Sequence, residues 1–249
     1  MNVTAILITR KGPQKHKVAS QREWLAARRR LLAQEKKFTR ARDELSRKRR
    51  SLPWVKVEKD YVFDGPNGKK TLADLFEGRS QLFVYHFMFW PRDKEGCPSC
   101  SFWADHFDGP AAHLKQRDTT FAVVSHAPLK KLKAFKKRMG WRFPWFSSHG
   151  SDFNFDFGVS VTSREIKAGP ITYNFGRVRM PPHLTELPGA SAFYRAKNGD
   201  IFHTYSAYSR GIDIMNGAYN ILDMTAKGRD ENPDRPQDWV DFHDRYKRR

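Results

Sequence analysis

The sequence predicts an α/β fold with parallel central strands, and three observations carry that prediction. Residues 82–89 (LFVYHFMF) are almost unbroken in apolar and aromatic character, as a strand covered on both faces must be, and a helical pattern follows them. Residues 120–125 (TFAVVS) repeat that character, and Leu129, Leu132, Phe135 and Met139 then form the stripe of a second helix. Strand, helix, strand, helix at these lengths means a parallel sheet with right-handed crossovers. Residues 190–194 and 200–205 read as two further strands joined through Asn198-Gly199, a hairpin dipeptide. With 249 residues, 39% of them hydrophobic and 14% aromatic, the chain suits one large domain with appendages.

The remaining elements follow in order. Residues 1–53 read as a basic leader and an amphipathic helix. Ser20 is an N-cap candidate, and Glu23 three residues on completes a capping box. Trp24, Leu31, Phe38 and Leu45 recur every seven residues with Leu25 and Leu32 beside them. They form a narrow apolar stripe on a helix of roughly thirty residues that stops before Pro53. The stripe lies against the main domain or pairs with a second copy in a homodimer, and the pattern leaves both open.

Residues 54–224 form the main domain. Residues 55–57 and 61–63 alternate like a hairpin, Gly65, Asn67 and Gly68 supply turn signals, and 71–76 is a short helical turn. Residues 140–187 read as irregular. Their aromatics, from Trp141 and Trp145 to Phe153 and Phe157, wall a substrate groove or build a second core layer. A helix over about 211–222 closes the domain. Residues 225–249 are a polar tail with one amphipathic piece around Trp239, Val240 and Phe242.

The net charge of +19 is unevenly placed. Residues 1–54 hold 16 Lys/Arg against 4 Asp/Glu, while the other 195 hold 30 against 23. Such an arm suits an anionic partner such as nucleic acid; a merely solvated helix face is the competing reading. The apolar residues near the start are too few for a signal sequence, and no stretch reaches ~18 apolar residues. The expectation is a cytoplasmic protein with no membrane partner.

Two cysteines in such a chain point to chemistry rather than stapling. Cys97 and Cys100 form a C-x-x-C between a buried strand and a helix. At a helix N-terminus the unpaired N–H groups and the macrodipole favour a thiolate on the first sulfur. Pro98 suits the first helical position, where its missing N–H costs nothing. Cys100, one turn on, can attack a mixed disulfide formed on Cys97. Zinc is the competitor, but His106 would lie about 9 Å along the helix and on another face. No metal site and no cofactor are expected.

This order of strand, C-x-x-C, helix, strand, helix, hairpin and final helix resembles the thioredoxin superfamily. Residues 68–76 and 82–89, with Phe143-Pro144-Trp145-Phe146-Ser147-Ser148 and Phe157-Gly158-Val159, resemble its peroxiredoxin and TlpA-like branch. More closely, residues 96–105 (GCPSCSFWAD), 139–145 (MGWRFPW), 150–154 (GSDFN) and 202–205 (FHTY) are similar to one thioredoxin-like family. That family is described as predicted dithiol–disulfide oxidoreductases of unknown function, and the similarity runs from about His16 to Tyr246.

The resemblance implies a thioredoxin-like fold carrying a basic N-terminal helical arm. It puts Pro188, in Leu187-Pro188-Gly189, at the place of the superfamily's cis-proline, with backbone beside Cys97 free to pair with an incoming peptide. It puts His86 where a buried acid serves as base. Lys94 stands where peroxiredoxins carry the Thr of T-x-x-C, so a peroxide pocket of that design is not expected. The expected function is thiol–disulfide oxidoreduction on a protein or small-molecule disulfide or thiol. Cys97 is the nucleophile, Cys100 the resolving thiol, Pro188 the shaper of docking and His86 the base. The alternatives are a non-catalytic protein whose arm contacts nucleic acid, and a Cys/His zinc domain.

Overall fold

A computed structural model describes residues 17–246, so the first apolar stretch and most of the expected leader lie outside the described residues. The first element is the helix the capping box announces, α1 (Gln21–Arg50). Glu23 N–H donates to the Ser20 hydroxyl at 3.3 Å, and Ser20 N–H donates to the Glu23 carboxylate at 2.9 Å. Its dipole is matched at both ends, by Glu23 in the first turn and by Arg47, Lys48, Arg49 and Arg50 in the last. No residue of α1 is buried; Trp24 is 53% and Phe38 71% exposed, so the stripe faces solvent.

Ten strands follow: β1 (Val55–Lys56), β2 (Val62–Gly65), β3 (Gly68–Thr71), β4 (Gln81–His86), β5 (Thr119–Ser125), β6 (Trp145–Ser147), β7 (Ile171–Tyr173), β8 (Gly176–Val178), β9 (Gly189–Arg195) and β10 (Ile201–Tyr208). Eight of them make one sheet in the order β1-β10-β9-β4-β5-β6-β2-β3, while β7 and β8 pair separately. The centre, β4-β5-β6, is parallel, and β9 joins β4 antiparallel. The connections carry α2 (Pro98–Ala104), α3 (Asp108–Lys115) and α4 (Leu129–Arg138), then α5 (Phe153–Asp156) and α6 (Ser163–Ala168); α7 (Gly217–Leu222) closes the domain. Parallel strands flanked by an antiparallel hairpin, with the C-x-x-C helix leaving the C-terminal end of β4, make this a thioredoxin-like fold.

Strand alternation divides the core into two layers. Tyr85, Phe87 and Val123 face a layer with Phe102, Trp103, Phe107, Leu132, Phe135, Trp141, Phe143 and Trp145. Leu82, Val84, Ala122 and Val124 face the other, with Phe63, Phe76, Phe153 and Phe157. The aromatics of 140–157 are therefore mostly core.

Three expectations need correcting. Residues 55–57 and 61–63 do not pair with each other: β1 sits on the outer edge of β10 and β2 lies near the opposite edge. The link Glu58-Lys59-Asp60 has no glycine or Asn-Gly-type dipeptide, whereas Gly65-Pro66-Asn67-Gly68 closes the β2–β3 hairpin. Val57 N–H donates instead to the Ile201 carbonyl at 2.9 Å, and the Trp54 ring lies 4.9 Å from Tyr194. The stretch 140–187 is not irregular throughout. It carries β6, the β7–β8 hairpin, α5 and α6, the last opened by a Thr162–Glu165 capping box. The final helix is broken in two. Asn216, fully buried, accepts from Tyr219 N–H at 3.0 Å and caps α7, leaving Ser209–Met215 as a 3₁₀ segment.

The polar tail straps the helical face. Phe242 is buried 5.4 Å from Phe135, Arg138 donates to Asp244 at 2.7 Å, and Tyr219 donates to Glu231 at 2.6 Å. Among the described residues no helix is long and apolar enough to cross a membrane.

Candidate active site

Beyond β4 the chain keeps its register for one more residue, as Phe87 N–H donates to the Val124 carbonyl at 2.9 Å. It then turns through residues 90–95 and returns at Gly96. A Cβ on Gly96 would lie 2.5 Å from the Phe87 ring, so only glycine lets the loop close down on that ring. The return brings both cysteines to Met88. Cys97 N–H donates to the Met88 carbonyl at 3.0 Å, and Met88 N–H donates to the Cys100 sulfur at 3.4 Å.

Cys97 is the N-cap of α2 and Pro98 its first residue. The Cys97 carbonyl accepts from Ser101 through both N–H and hydroxyl, each at 2.9 Å, which fixes the first turn. Both cysteines are free thiols; Cys97 is partly exposed and Cys100 only 2%. The hydrogen bond from the Cys100 thiol, followed by the backbone N–H groups of Cys100 and Ser99, holds the Cys97 thiol below its ordinary range against the pull of burial. Burial first, and then the Cys97 sulfur, pushes Cys100 far up. The two neighbouring thiols are thus shifted in opposite directions.

Tyr85 is the residue sequence reasoning missed. It is fully buried in the same layer as Cys100, and its hydroxyl makes no hydrogen bond. Burial and then the neighbouring Cys100 sulfur hold that hydroxyl protonated far above its usual range. Tyr85 in turn opposes the upward shift of Cys100, after the Met88 N–H. The only signal was alternation: Tyr85 and His86 face opposite sides, and nothing in the sequence says which side carries the cysteines.

His86 is on the wrong side to serve as their base. It is 1% exposed, its ring lies 5.6 Å from Phe153 and 6.1 Å from Phe157, and its Nδ1 has no partner. Its Nε2 is 2.8 Å from the Ser191 hydroxyl, which is 2.8 Å from the Ser206 hydroxyl, which is 2.7 Å from His203 Nε2. Burial pulls its pKa down to about 3, so it is neutral at working pH.

Pro188 lies near the inner cysteine. With Tyr85, Met88, Ser99, Cys100 and Trp103 it lines a cavity of about 260 Å³. The Leu187–Pro188 peptide is trans, not the cis bond the resemblance implied. The Pro188 carbonyl accepts from the Tyr173 hydroxyl at 2.7 Å. A Cβ on Gly189, the next residue, would lie 2.8 Å from the Tyr208 ring, so this close approach requires glycine.

Other singled-out residues have structural partners. Asp105 accepts from Trp141 Nε1 at 2.8 Å and lies 2.7 Å from His243 Nδ1, while His106 accepts from Ala218 N–H at 3.4 Å. Among the described residues no three His, Cys, Asp or Glu side chains gather as metal ligands.

Comparison with known proteins places this geometry among distant structural likenesses. Peroxidoxin BcpB from Mycobacterium tuberculosis is 14% identical over 65% of this chain and 92% of its own, with a TM-score of 0.43. The bacterioferritin comigratory protein of Xanthomonas campestris is 15% identical over 67% and 92%, with a TM-score of 0.43. A hypothetical protein of Sinorhizobium meliloti is 15% identical over 63% and 71%, with a TM-score of 0.40. No curated protein matches the chain. A family model matches residues 13–246, and the chain belongs to that family, described as bacterial protein of unknown function (DUF899).

Proposed function

We propose that the chain is a cytoplasmic thiol–disulfide oxidoreductase, with Cys97 as nucleophile and Cys100 as resolving thiol. The observation that carries the reading is the opposite treatment of the two sulfurs. Cys97 is partly exposed with its thiol acidified, and Cys100 is buried with its thiol held protonated. Attack by the Cys97 thiolate on a disulfide forms a mixed disulfide and releases one thiol. Cys100 then loses its proton, attacks the Cys97 sulfur and releases the second thiol, leaving a Cys97–Cys100 disulfide. Tyr85, whose unengaged hydroxyl shares a cavity with Cys100, eases the second step by donating to the Cys100 thiolate as it forms.

Alkylation of the purified protein against pH, followed by equilibration in glutathione buffers, tests this. The expected result is one thiol reacting with a midpoint below the ordinary ~8.5, and a reversible Cys97–Cys100 disulfide. Two slow thiols with ordinary pH dependence would refute it.

A second activity is compatible with the first. α1 presents its Lys and Arg side chains with none of its residues buried, which supports nucleic-acid contact through the arm. Retardation of RNA or DNA that weakens steeply with salt, and is lost when residues 1–50 are removed, is its signature.

A further inference from the structure

We infer that the site acts on small-molecule disulfides and not on extended polypeptide ones, an inference that rests on the redox reading above. An extended polypeptide substrate docks by pairing its main chain with free backbone beside the reacting group. Two backbone segments lie beside the cysteines, one of them at Pro188 in the cavity it shares with Cys100, and most of their main-chain groups are taken.

The first is Phe87-Met88. The Phe87 carbonyl accepts from the Ser125 hydroxyl at 2.7 Å, Phe87 N–H donates to Val124, and both polar groups of Met88 hold the cysteines themselves. The second is the segment entering β9 beside Pro188. Leu187 N–H donates to the Val159 carbonyl at 2.8 Å, and the Thr185 carbonyl accepts from Val161 N–H at 2.9 Å, so Ser160 and Glu186 form an antiparallel bridge. Residues 159–161 thus lie where an incoming strand would.

That covering strand is fastened. The Ser160 hydroxyl donates to Glu186 at 2.7 Å, and the other Glu186 oxygen lies 3.0 Å from His126 Nδ1. Glu186 is buried, so displacing the segment would strip a buried carboxylate of a partner. The Val159 and Ser160 N–H groups both donate to the Asn154 carbonyl, at 2.9 and 3.0 Å, which ties the segment to α5. Cys97 is partly exposed, and a substrate that needs no strand pairing can use it.

The reaction balances without a further reactant. The dithiol and a disulfide R–S–S–R yield the Cys97–Cys100 disulfide and two R–SH, with two electrons passing to the substrate. The test is single turnover of the reduced full chain with hydroxyethyl disulfide and, separately, with insulin as the protein disulfide. Hydroxyethyl disulfide is expected to react at least tenfold faster per disulfide. Equal or faster oxidation by insulin would overturn the inference while leaving the redox reading standing. Reaction with neither would sink both.

Ser160→Ala supplies the second arm. Loss of one hydrogen bond to a buried carboxylate raises the population of the undocked segment by about tenfold, and the insulin rate with it. The hydroxyethyl disulfide rate should stay at its wild-type value. An unchanged insulin rate in a folded variant would show that residues 159–161 do not exclude polypeptides.

Discussion

Tyr85 and His86 are neighbours in sequence and opposites in circumstance. Both are fully buried on β4, but one faces the cysteine pair and the other a chain of serine hydroxyls. The thiol face holds two cysteines shifted in opposite directions, with a tyrosine hydroxyl that makes no hydrogen bond. The histidine face holds groups whose hydrogen bonds mostly satisfy one another, packed by Phe153 and Phe157. On the proposed reading the unengaged hydroxyl is a working part, whereas the polarity closed into a chain is scaffold.

That contrast can be broken most sharply at the nucleophile. Cys97→Ser should abolish disulfide reduction, a loss of at least about a thousandfold, whereas Cys100→Ser should keep the first step and trap mixed disulfides visible by mass. Next in size is Tyr85→Phe. The mixed disulfide should form at its normal rate and resolve about tenfold more slowly, one hydrogen bond to a charged sulfur being worth about 1.5 kcal/mol. The pH midpoint of resolution should move up, a change that a packing defect would not produce.

His86→Leu should do the reverse, leaving both chemical steps intact. Ser191 loses a partner, and denaturant unfolding should register about 1–3 kcal/mol of destabilisation. A histidine held down at about 3 when folded and near 6.5 when unfolded binds more protons in the unfolded state between those pH values. Wild-type stability therefore falls as pH drops through that window, and the variant's should fall less. The smallest effect is expected on α1. Trp24→Ala, on an exposed face, should change unfolding free energy by less than about 0.5 kcal/mol.

Much of this was legible in the chain. The two central strands were marked by unbroken apolar runs, the 198–199 hairpin by its dipeptide and α1 by its capping box, because each is a local signal. The failures were non-local. Residues 55–57 alternate as a strand should, but which strand they join depends on an edge formed by residues some 150 positions away in sequence. The break at Asn216 depends on burial of a side chain that, in sequence, is just another polar residue. The site divided the same way. Cys97, Cys100 and Pro188 come from a motif and a resemblance, and in the structure Pro188 lines a cavity with Cys100. The choice between Tyr85 and His86 required knowing which face α2 covers, and alternation alone is symmetric between the two.

The serine chain between the two histidines has a further consequence. Three links need three hydrogens, and the two hydroxyls supply one each. The third must come from one imidazole, so with both rings neutral one carries its proton on Nε2 and the other on Nδ1. His86 and His203 are therefore opposite tautomers, and neither can change form unless the two hydroxyls and the other ring all turn over with it. Nitrogen chemical shifts of the two rings would move together or not at all.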